Sequence, residues 1–327
     1  MTNLHAPLII VTPYYEDGAA TKHLIEELMS QLSGKLPGQF HESKPHLVLV
    51  DDGSIHEPFN PILLENNGFG GDILYLKRNL GHQRAIAVGL SYVATQFPTA
   101  TVVVMDSDGE DKPASIIQLL QQLEANPNAD VVVATRKSRV ESWRFQFFYF
   151  WYKLFFKLAT GRSISFGNFM VLKPHAVKRI AVMQELWIHF AGTVLLSKLR
   201  ISQCPIDRGL RYAGKSKMNF VGLVLHGFKG LMVFAEDVFV RVGIFCAVIA
   251  IISLLLMPIP LMLKFMGMAS PGWASILIGV FLLIFIQTGT LTLLTLLLTG
   301  LTKGGGVTDF SYELFVAKKE HVFIKKS

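Results

Sequence analysis

The residues able to do chemistry fall in short clusters behind apolar runs. Asp106-Ser107-Asp108-Gly109-Glu110-Asp111 follows the apolar run 102–105. Carboxylates crowded in this way repel one another unless a positive charge sits among them, and hard divalent cations take oxygen ligands of this kind. The chemistry that fits is a Mg2+ or Mn2+ site that also holds a diphosphate; the same run would also serve as an acidic loop or helix cap ahead of Pro113. Asp51-Asp52-Gly53-Ser54, behind the run 47–50, is a second acidic turn. Its carboxylates can accept hydrogen bonds from a base or ribose, and Asp-Gly is equally an ordinary turn.

The elements that must position these clusters can be read from hydrophobic period. Runs at 8–12, 47–51, 73–76, 101–106 and 131–135 are rich in β-branched residues and read as strands; 21–32, 83–95 and 113–123 read as helices between them. The alternation predicts an α/β fold with a mostly parallel sheet and right-handed crossovers. Ligands of such sheets bind at the carboxyl ends of the strands. Both acidic turns are expected at that edge, together with 13–17.

Composition places part of the chain elsewhere. Of 327 residues, 51% are hydrophobic and 17% charged, against the ~25% charged residues of an ordinary soluble domain. Lys and Arg total 31 against 24 Asp and Glu, a net charge of +7 spread along the chain. That suits an anionic membrane surface or phosphorylated small molecules, and no block of basic residues marks a nucleic-acid partner. Cys204 and Cys246 are the only cysteines, which excludes a disulfide framework and a cysteine-based zinc site. The uncharged stretches 242–263 and 274–301 each match the ~20 residues that span a bilayer core. The linker between them carries one lysine, whereas Lys303, Lys318, Lys319, Lys325 and Lys326 follow. The positive-inside rule therefore puts the tail, and with it the N-terminal part, in the cytoplasm. The absence of a basic-then-apolar leader in 1–7 agrees. The aromatic stretch 143–158 is interrupted by Arg144, Lys153 and Lys157 and reads as an interfacial helix. The expected division is a catalytic domain over 1–219, a juxtamembrane helix over 220–240, a two-helix transmembrane hairpin over 241–302 and a cytoplasmic tail over 303–327.

Taken in order, Pro13-Tyr14-Tyr15-Glu16-Asp17, Val50-Asp51-Asp52-Gly53-Ser54, Arg78-Asn79-Leu80-Gly81-His82 and the Asp106-Ser107-Asp108 element resemble the nucleotide-sugar-dependent GT-A glycosyltransferases of family 2. Arg211-Tyr212-Ala213-Gly214-Lys215-Ser216-Lys217 is similar to the R-x-x-G-x-S-K segment of their polyprenyl-phosphate branch, which includes dolichyl-phosphate mannosyltransferase and bacterial undecaprenyl-phosphate sugar transferases. The resemblance implies a Rossmann-like GT-A domain and a metal-dependent, inverting hexosyltransferase that uses a nucleotide-diphosphate sugar, with a UDP-sugar favoured. It implies that Pro13, Tyr15 and Asp17 border the nucleotide, with Asp17 where Glu is usual, and that Asp52 contacts the base or ribose. Asp106 and Asp108 match the DxD pair, with Ser107 between them in the donor site. Glu110 stands where the branch often has Gln as a further metal ligand. Arg211 and Lys217 would meet diphosphate oxygens, and Arg136 and Arg139 the phosphate of the acceptor. In Gly167-Asn168-Phe169, Asn168 replaces a usual Asp.

A lipid phosphomonoester, with its second pKa near ~6, is mostly dianionic at neutral pH and needs no general base. The protein's task is to bring two anions together, with metal on the leaving diphosphate and cations around the acceptor. The arginines and Lys217 would otherwise form a basic surface, and His82, His175 and His189 read as structural. The expected function is transfer of the sugar to polyprenyl phosphate at the cytoplasmic face of the cell (inner) membrane by a multi-pass protein. Another lipid or a polysaccharide as acceptor is the alternative within the chemistry; a non-catalytic membrane scaffold is the alternative outside it. Membrane lipids are expected partners, and a homo-oligomer is compatible with the paired helices.

Overall fold

The computed structural model describes residues 7–136, 143–163, 165–212, 220–268, 270, 272–304 and 311–323. Its strands are β1 (Leu8–Tyr14), β2 (His46–Asp51), β3 (Gly71–Leu76), β4 (Thr101–Val104), β5 (Val131–Arg136), β6 (Met170–Leu172), β7 (Ile201–Ile206) and β8 (Val316–Val322). The helices are α1 (Gly18–Leu32), α2 (Ile62–Asn66), α3 (His82–Gln96), α4 (Ala114–Ala125), α5 (Trp143–Thr160), α6 (Pro174–Ala181), α7 (Phe190–Leu196), α8 (Phe220–Met232), α9 (Ala235–Leu256), α10 (Pro258–Phe265) and α11 (Trp273–Gly304). They divide into two compact units, one of residues 1–141, 164–233 and 308–327 and the other of 142–163 and 234–307.

The first unit is a Rossmann-like GT-A sheet in the order β7-β5-β6-β4-β1-β2-β3-β8. Pairing is parallel except that β6 runs against β4 and β5, and β8 against β3. Alternate residues serve the two faces. Ile9, Val11, Val48 and Val50 pack towards α3, α6 and α7, whereas Leu8, Ile10, Leu47 and Leu49 pack towards α1 and α4. A strand buried on both faces has no polar alternation, which is why these strands are continuous apolar runs. From β1 the chain winds outward through β2 and β3, then returns to β4 on the other flank of β1. The crevice at that reversal is where ligands bind in such sheets.

All five expected strands and three expected helices form, with shifted ends. The strand expected to reach Asp106 stops at Val104, because the Asp106 amide leaves the ladder and donates to Asp111 Oδ2 at 3.0 Å. The expected helix over 220–240 is two, α8 and α9, with a break at 233–234. Part of the tail expected over 303–327 is β8, the antiparallel edge of the sheet. It is fastened by His321 Nδ1, 2.5 Å from the buried Asp72, which also takes His46 Nε2 and the Tyr92 hydroxyl, each at 3.0 Å.

On the opposite flank, the buried Asp130 ties β5 to β7. It accepts from the Arg200 amide at 2.9 Å, from Arg200 Nη2 at 2.8 Å and faces His175 Nε2 at 3.0 Å. Arg200 holds the carboxyl well below the usual carboxylate range. A depressed carboxylate contributes stability above its unfolded pKa of about 3.9, and that contribution disappears as the pH falls through the lower, folded value. Asp130→Asn is therefore expected to cost about 1–3 kcal/mol at pH 7. Denaturant melts of the two proteins should keep their difference down to about pH 4 and draw together only as the pH falls further, towards the folded value; a gap that does not narrow on acidification below about pH 4 would refute the assignment.

In the second unit, α5 exposes Phe150, Trp151, Phe155 and Leu158. Two helical stretches among the described residues are long and apolar enough to cross a membrane, Ala235–Phe265 and Trp273–Gly300. The first, expected as one span over 242–263, breaks at Met257, where Pro258 and Pro260 withhold backbone donors. Gly243, Cys246, Ala250 and Ser253 form the buried seam of α9, and Ser253 Oγ donates to the Phe281 carbonyl of α11 at 2.6 Å. Small and hydroxylated residues are the usual contact of apolar helices that cannot gain by hiding from lipid.

Candidate active site

The acidic turn after β4 is folded on itself and gripped by the segment after β7. The Glu110 amide donates to Asp108 Oδ1 at 3.0 Å. Gly109 has φ +88°, and a Cβ there would overlap the Tyr212 ring, so the position needs glycine. The Gly209 amide donates to the Glu110 carbonyl at 2.8 Å and the Tyr212 amide to the Asp108 carbonyl at 3.0 Å. Tyr212 in turn stacks on His23 of α1, centroids 5.1 Å apart, and its hydroxyl bonds Glu27. Arg211 reaches Asp108 Oδ2 with Nη2 and Glu110 Oε1 with Nε, both at 2.8 Å, and Arg208 pairs with Glu110.

A second line of polar groups arrives from α3. The Phe190 amide donates to Gln83 Oε1 at 2.7 Å, so Gln83 presents its amide nitrogen to Asn168 Oδ1 at 3.2 Å. Asn168 then turns its own nitrogen to His82 Nε2 at 3.1 Å, and that ring nitrogen lies 3.1 Å from Asp106 Oδ1. The buried Phe190 amide thus fixes the orientation of Gln83, whose amide nitrogen then faces Asn168.

These neighbours push the three carboxyls apart. Burial would raise Asp106, but the adjoining His82, with Asn168 and Arg208, outweighs it and holds the group low. Asp108 is raised by burial and by the Asp106 charge against the pull of Arg211 and Arg208. Asp111 is raised further, by burial and then by Asp106.

The turn after β2 ties neighbouring loops together. Asp52 is 3% exposed, and its oxygens accept the Leu80 amide at 2.7 Å and the Gly81 amide at 2.9 Å. It holds the loop that delivers His82. Asp51 does the same for the following loop, accepting from the Ser54 and Phe59 amides at 2.9 Å. Glu16, in the left-handed region at φ +47°, receives the amides of Ile55, His56 and Glu57.

Of the other expected site residues, Pro13 is buried in β1, Tyr15 is exposed just after it, and Asp17 precedes α1. Arg136 is exposed at the end of β5. Arg139 and Lys217 lie outside the described residues. The structure therefore gathers Asp106, Ser107, Asp108, Glu110 and Arg211. His82, expected to be structural, lies against Asp106 instead; His175 and His189 do serve structure, binding Asp130 and capping α7. Arg208 was not expected in the sheet's acidic corner, and the R-x-x-R spacing of Arg208 and Arg211 was the signal that could have found it; Asp111 belongs to the acidic cluster read from the sequence, and Asn168 to the Gly167-Asn168-Phe169 segment.

Among the described residues no three His, Cys, Asp or Glu side chains form a metal-binding group. The expected trio of Asp106, Asp108 and Glu110 is not assembled, because Glu110 faces two guanidinium groups. Asp106 and Asp108 nonetheless fit a divalent cation. Asp106 Oδ1 is a buried oxygen without a well-formed hydrogen bond, and a cation would relieve the repulsion that raises its neighbour.

A model of the family described as Glycosyl transferase family 2 matches residues 9–185. Two Bacillus subtilis (strain 168) proteins bearing the names uncharacterized glycosyltransferase YkoT and YkcC are similar over 84% of this chain. YkoT is 23% identical over 82% of its own length, and YkcC 22% identical over 83%. Among solved structures, glucosyl-3-phosphoglycerate synthase from Mycobacterium tuberculosis, in complex with Mn2+, UDP-glucose and phosphoglyceric acid, is similar with a TM-score of 0.46 and 16% identity, over 72% of this chain and 79% of that one. TarS of S. aureus is similar with a TM-score of 0.42 and 16% identity over 74% of this chain, which spans 39% of the length of TarS.

Proposed function

The chain belongs to glycosyl transferase family 2, and from that premise we propose that it moves a sugar from a UDP-sugar to a polyprenyl phosphate at the cytoplasmic face of the cell membrane. The observation that carries this reading is the acidic turn of Asp106 and Asp108 interlocked with Arg208 and Arg211, in a chain that continues into two apolar helices. The turn suits a donor diphosphate, and the helices suit a lipid acceptor. The domain divisions drawn from composition belong to the same proposal, with the sheet unit in the cytoplasm and a multi-pass hairpin in the bilayer.

Mg2+ or Mn2+, held by Asp106 and Asp108, with Glu110 once released from its arginines, would neutralise charge on the leaving diphosphate. The protein's own groups do the rest. Ser107 and the exposed Tyr15 border the donor, with Pro13 and Asp17 flanking that tyrosine and Asp52 setting the adjoining loop. Arg211 exchanges its carboxylate partners for diphosphate oxygens as the donor enters, and Lys217 meets oxygens of the same diphosphate. Arg136 and Arg139 orient the acceptor phosphate. One of that phosphate's oxygens, already deprotonated, forms the bond to the sugar's anomeric carbon while the bond to the diphosphate breaks. The electron pair leaves on the nucleoside diphosphate, the configuration inverts, and no proton is abstracted.

The test is an incubation of detergent-purified protein with polyprenyl phosphate, Mg2+ or Mn2+, and a panel of UDP- and GDP-sugars, reading released nucleotide and glycolipid mass. A metal-dependent polyprenyl-phosphate sugar is expected. Donor turnover only with a hydroxyl lipid such as diacylglycerol would overturn the acceptor assignment, and no turnover with any donor would overturn the reaction.

A further inference from the structure

The helical-hairpin unit carries a polar groove of its own. Glu236, Asp237, Val240, Arg241 and Ile244, on successive turns at the start of α9, line an open cavity of about 430 Å³ completed by Thr299 of α11. Arg241 is the last charge before the uncharged stretch of α9, and Thr299 lies near the end of the uncharged stretch of α11. If the hairpin spans a bilayer, both helix ends place this groove where acyl chains give way to headgroups.

Its charge is mixed and held in place. Asp237 Oδ2 lies 3.8 Å from Arg162 Nη2, and the Arg162 guanidinium lies over the Phe234 ring, 5.1 Å from its centroid. Gly161, with φ +72°, lets the Arg241 guanidinium lie where a Cβ would collide with it. Formal charge over Arg162, Arg241, Glu236 and Asp237 sums to zero, with Asp237 one helical turn before Arg241. Val240 and Ile244 form the apolar side, and the latter is 60% exposed, continuous with exposed Val248 and Ile251 further along α9.

We propose that this groove binds the headgroup of a zwitterionic aminophospholipid, with the phosphate on Arg241, the ammonium on Glu236 and the acyl chains along Val240 and Ile244. An anionic headgroup would bring uncompensated charge against Glu236 and Asp237. A quaternary ammonium would have no N–H to donate to a carboxylate. A polyprenyl phosphate dianion meets the same repulsion, so this is not the acceptor site. The inference rests on the membrane-spanning reading of the hairpin and not on the identity of donor or acceptor.

The experiment is native mass spectrometry of the full chain in mild detergent, titrated with phosphatidylethanolamine, phosphatidylglycerol and phosphatidylcholine of matched acyl chains, and with polyprenyl phosphate. The ethanolamine lipid should be retained preferentially, and Arg241→Ala should weaken that retention about tenfold. Glu236→Gln, a milder change, should narrow the preference by favouring the glycerol lipid. Equal retention of the three phospholipids, or retention that neither substitution alters, would overturn the proposal. So would Arg241-dependent retention of polyprenyl phosphate in their place. Release of the wild-type protein from membranes by alkaline carbonate would instead overturn the spanning reading, which separates the two failures.

Discussion

Asp108→Asn is expected to reduce sugar transfer by about 10³-fold, the scale seen when a group stabilising transition-state charge is removed, while leaving the melting temperature unchanged or higher. The second half follows from the environment of the carboxyl. Burial and the neighbouring Asp106 charge raise Asp108 despite Arg211 and Arg208. A carboxyl raised in the fold is one whose ionisation at neutral pH costs stability, and that cost grows as the pH climbs above the ordinary carboxylate range. An amide removes the charge and keeps the shape, so the variant loses the reaction but not the structure. Nucleoside diphosphate release and a thermal melt on one preparation decide it. Activity within tenfold of wild type would remove Asp108 from the donor site; a fall of more than about 5 °C would show that its charge supports the fold.

Deleting residues from 316 onward should be the most damaging change to stability away from the chemistry. Val316 and Val322 are 9% and 5% exposed, and burying two valines is worth about 3–6 kcal/mol. For a unit of this size that corresponds to a fall of roughly 10 °C or more in melting temperature. Asp72 would lose His321, one of three partners that keep its buried charge tolerable. The deletion would also expose the hydrogen-bonding edge of β3, a flat strand end that invites pairing with other copies. Size-exclusion chromatography of the truncated protein should show aggregation, and a monodisperse peak melting with wild type would show that β8 is dispensable.

Much of this architecture was legible because the central strands are buried on both faces and announce themselves as apolar runs, each ending at a turn. The two antiparallel strands and the parallel edge strand β7 gave no such signal. β6 is three residues, Met-Val-Leu, and β7 is half exposed. β8, Val-Ala-Lys-Lys-Glu-His-Val, reads as a charged tail because an edge strand needs polar residues on its open side. The site divides similarly. Asp106, Asp108 and Glu110 are legible because two-residue spacing in one turn is local. The encounter of His82 with Asp106, and of Arg208 with Glu110, depends on which strands are neighbours. Asp52 follows the same rule: an acidic residue at a strand end has two uses, to meet a ligand or to pin the next loop, and its bonds to the Leu80 and Gly81 amides come from a loop that is a neighbour only in the fold.

The place of β8 in the chain also bears on how the protein is made. Tyr75 of β3 and Glu320 of β8, whose side chains share a hydrogen bond, are 245 positions apart, and both apolar helices are translated between them. A contact so distant in sequence forms late, and the β3 edge cannot be closed until the hairpin has left the ribosome. A nascent chain that stalls between β3 and β8 therefore keeps an open strand edge, visible to chaperones and proteases. Completion of the enzyme's sheet is thus timed by the synthesis of the two apolar helices, and a sheet released without the segment that follows them is marked as unfinished.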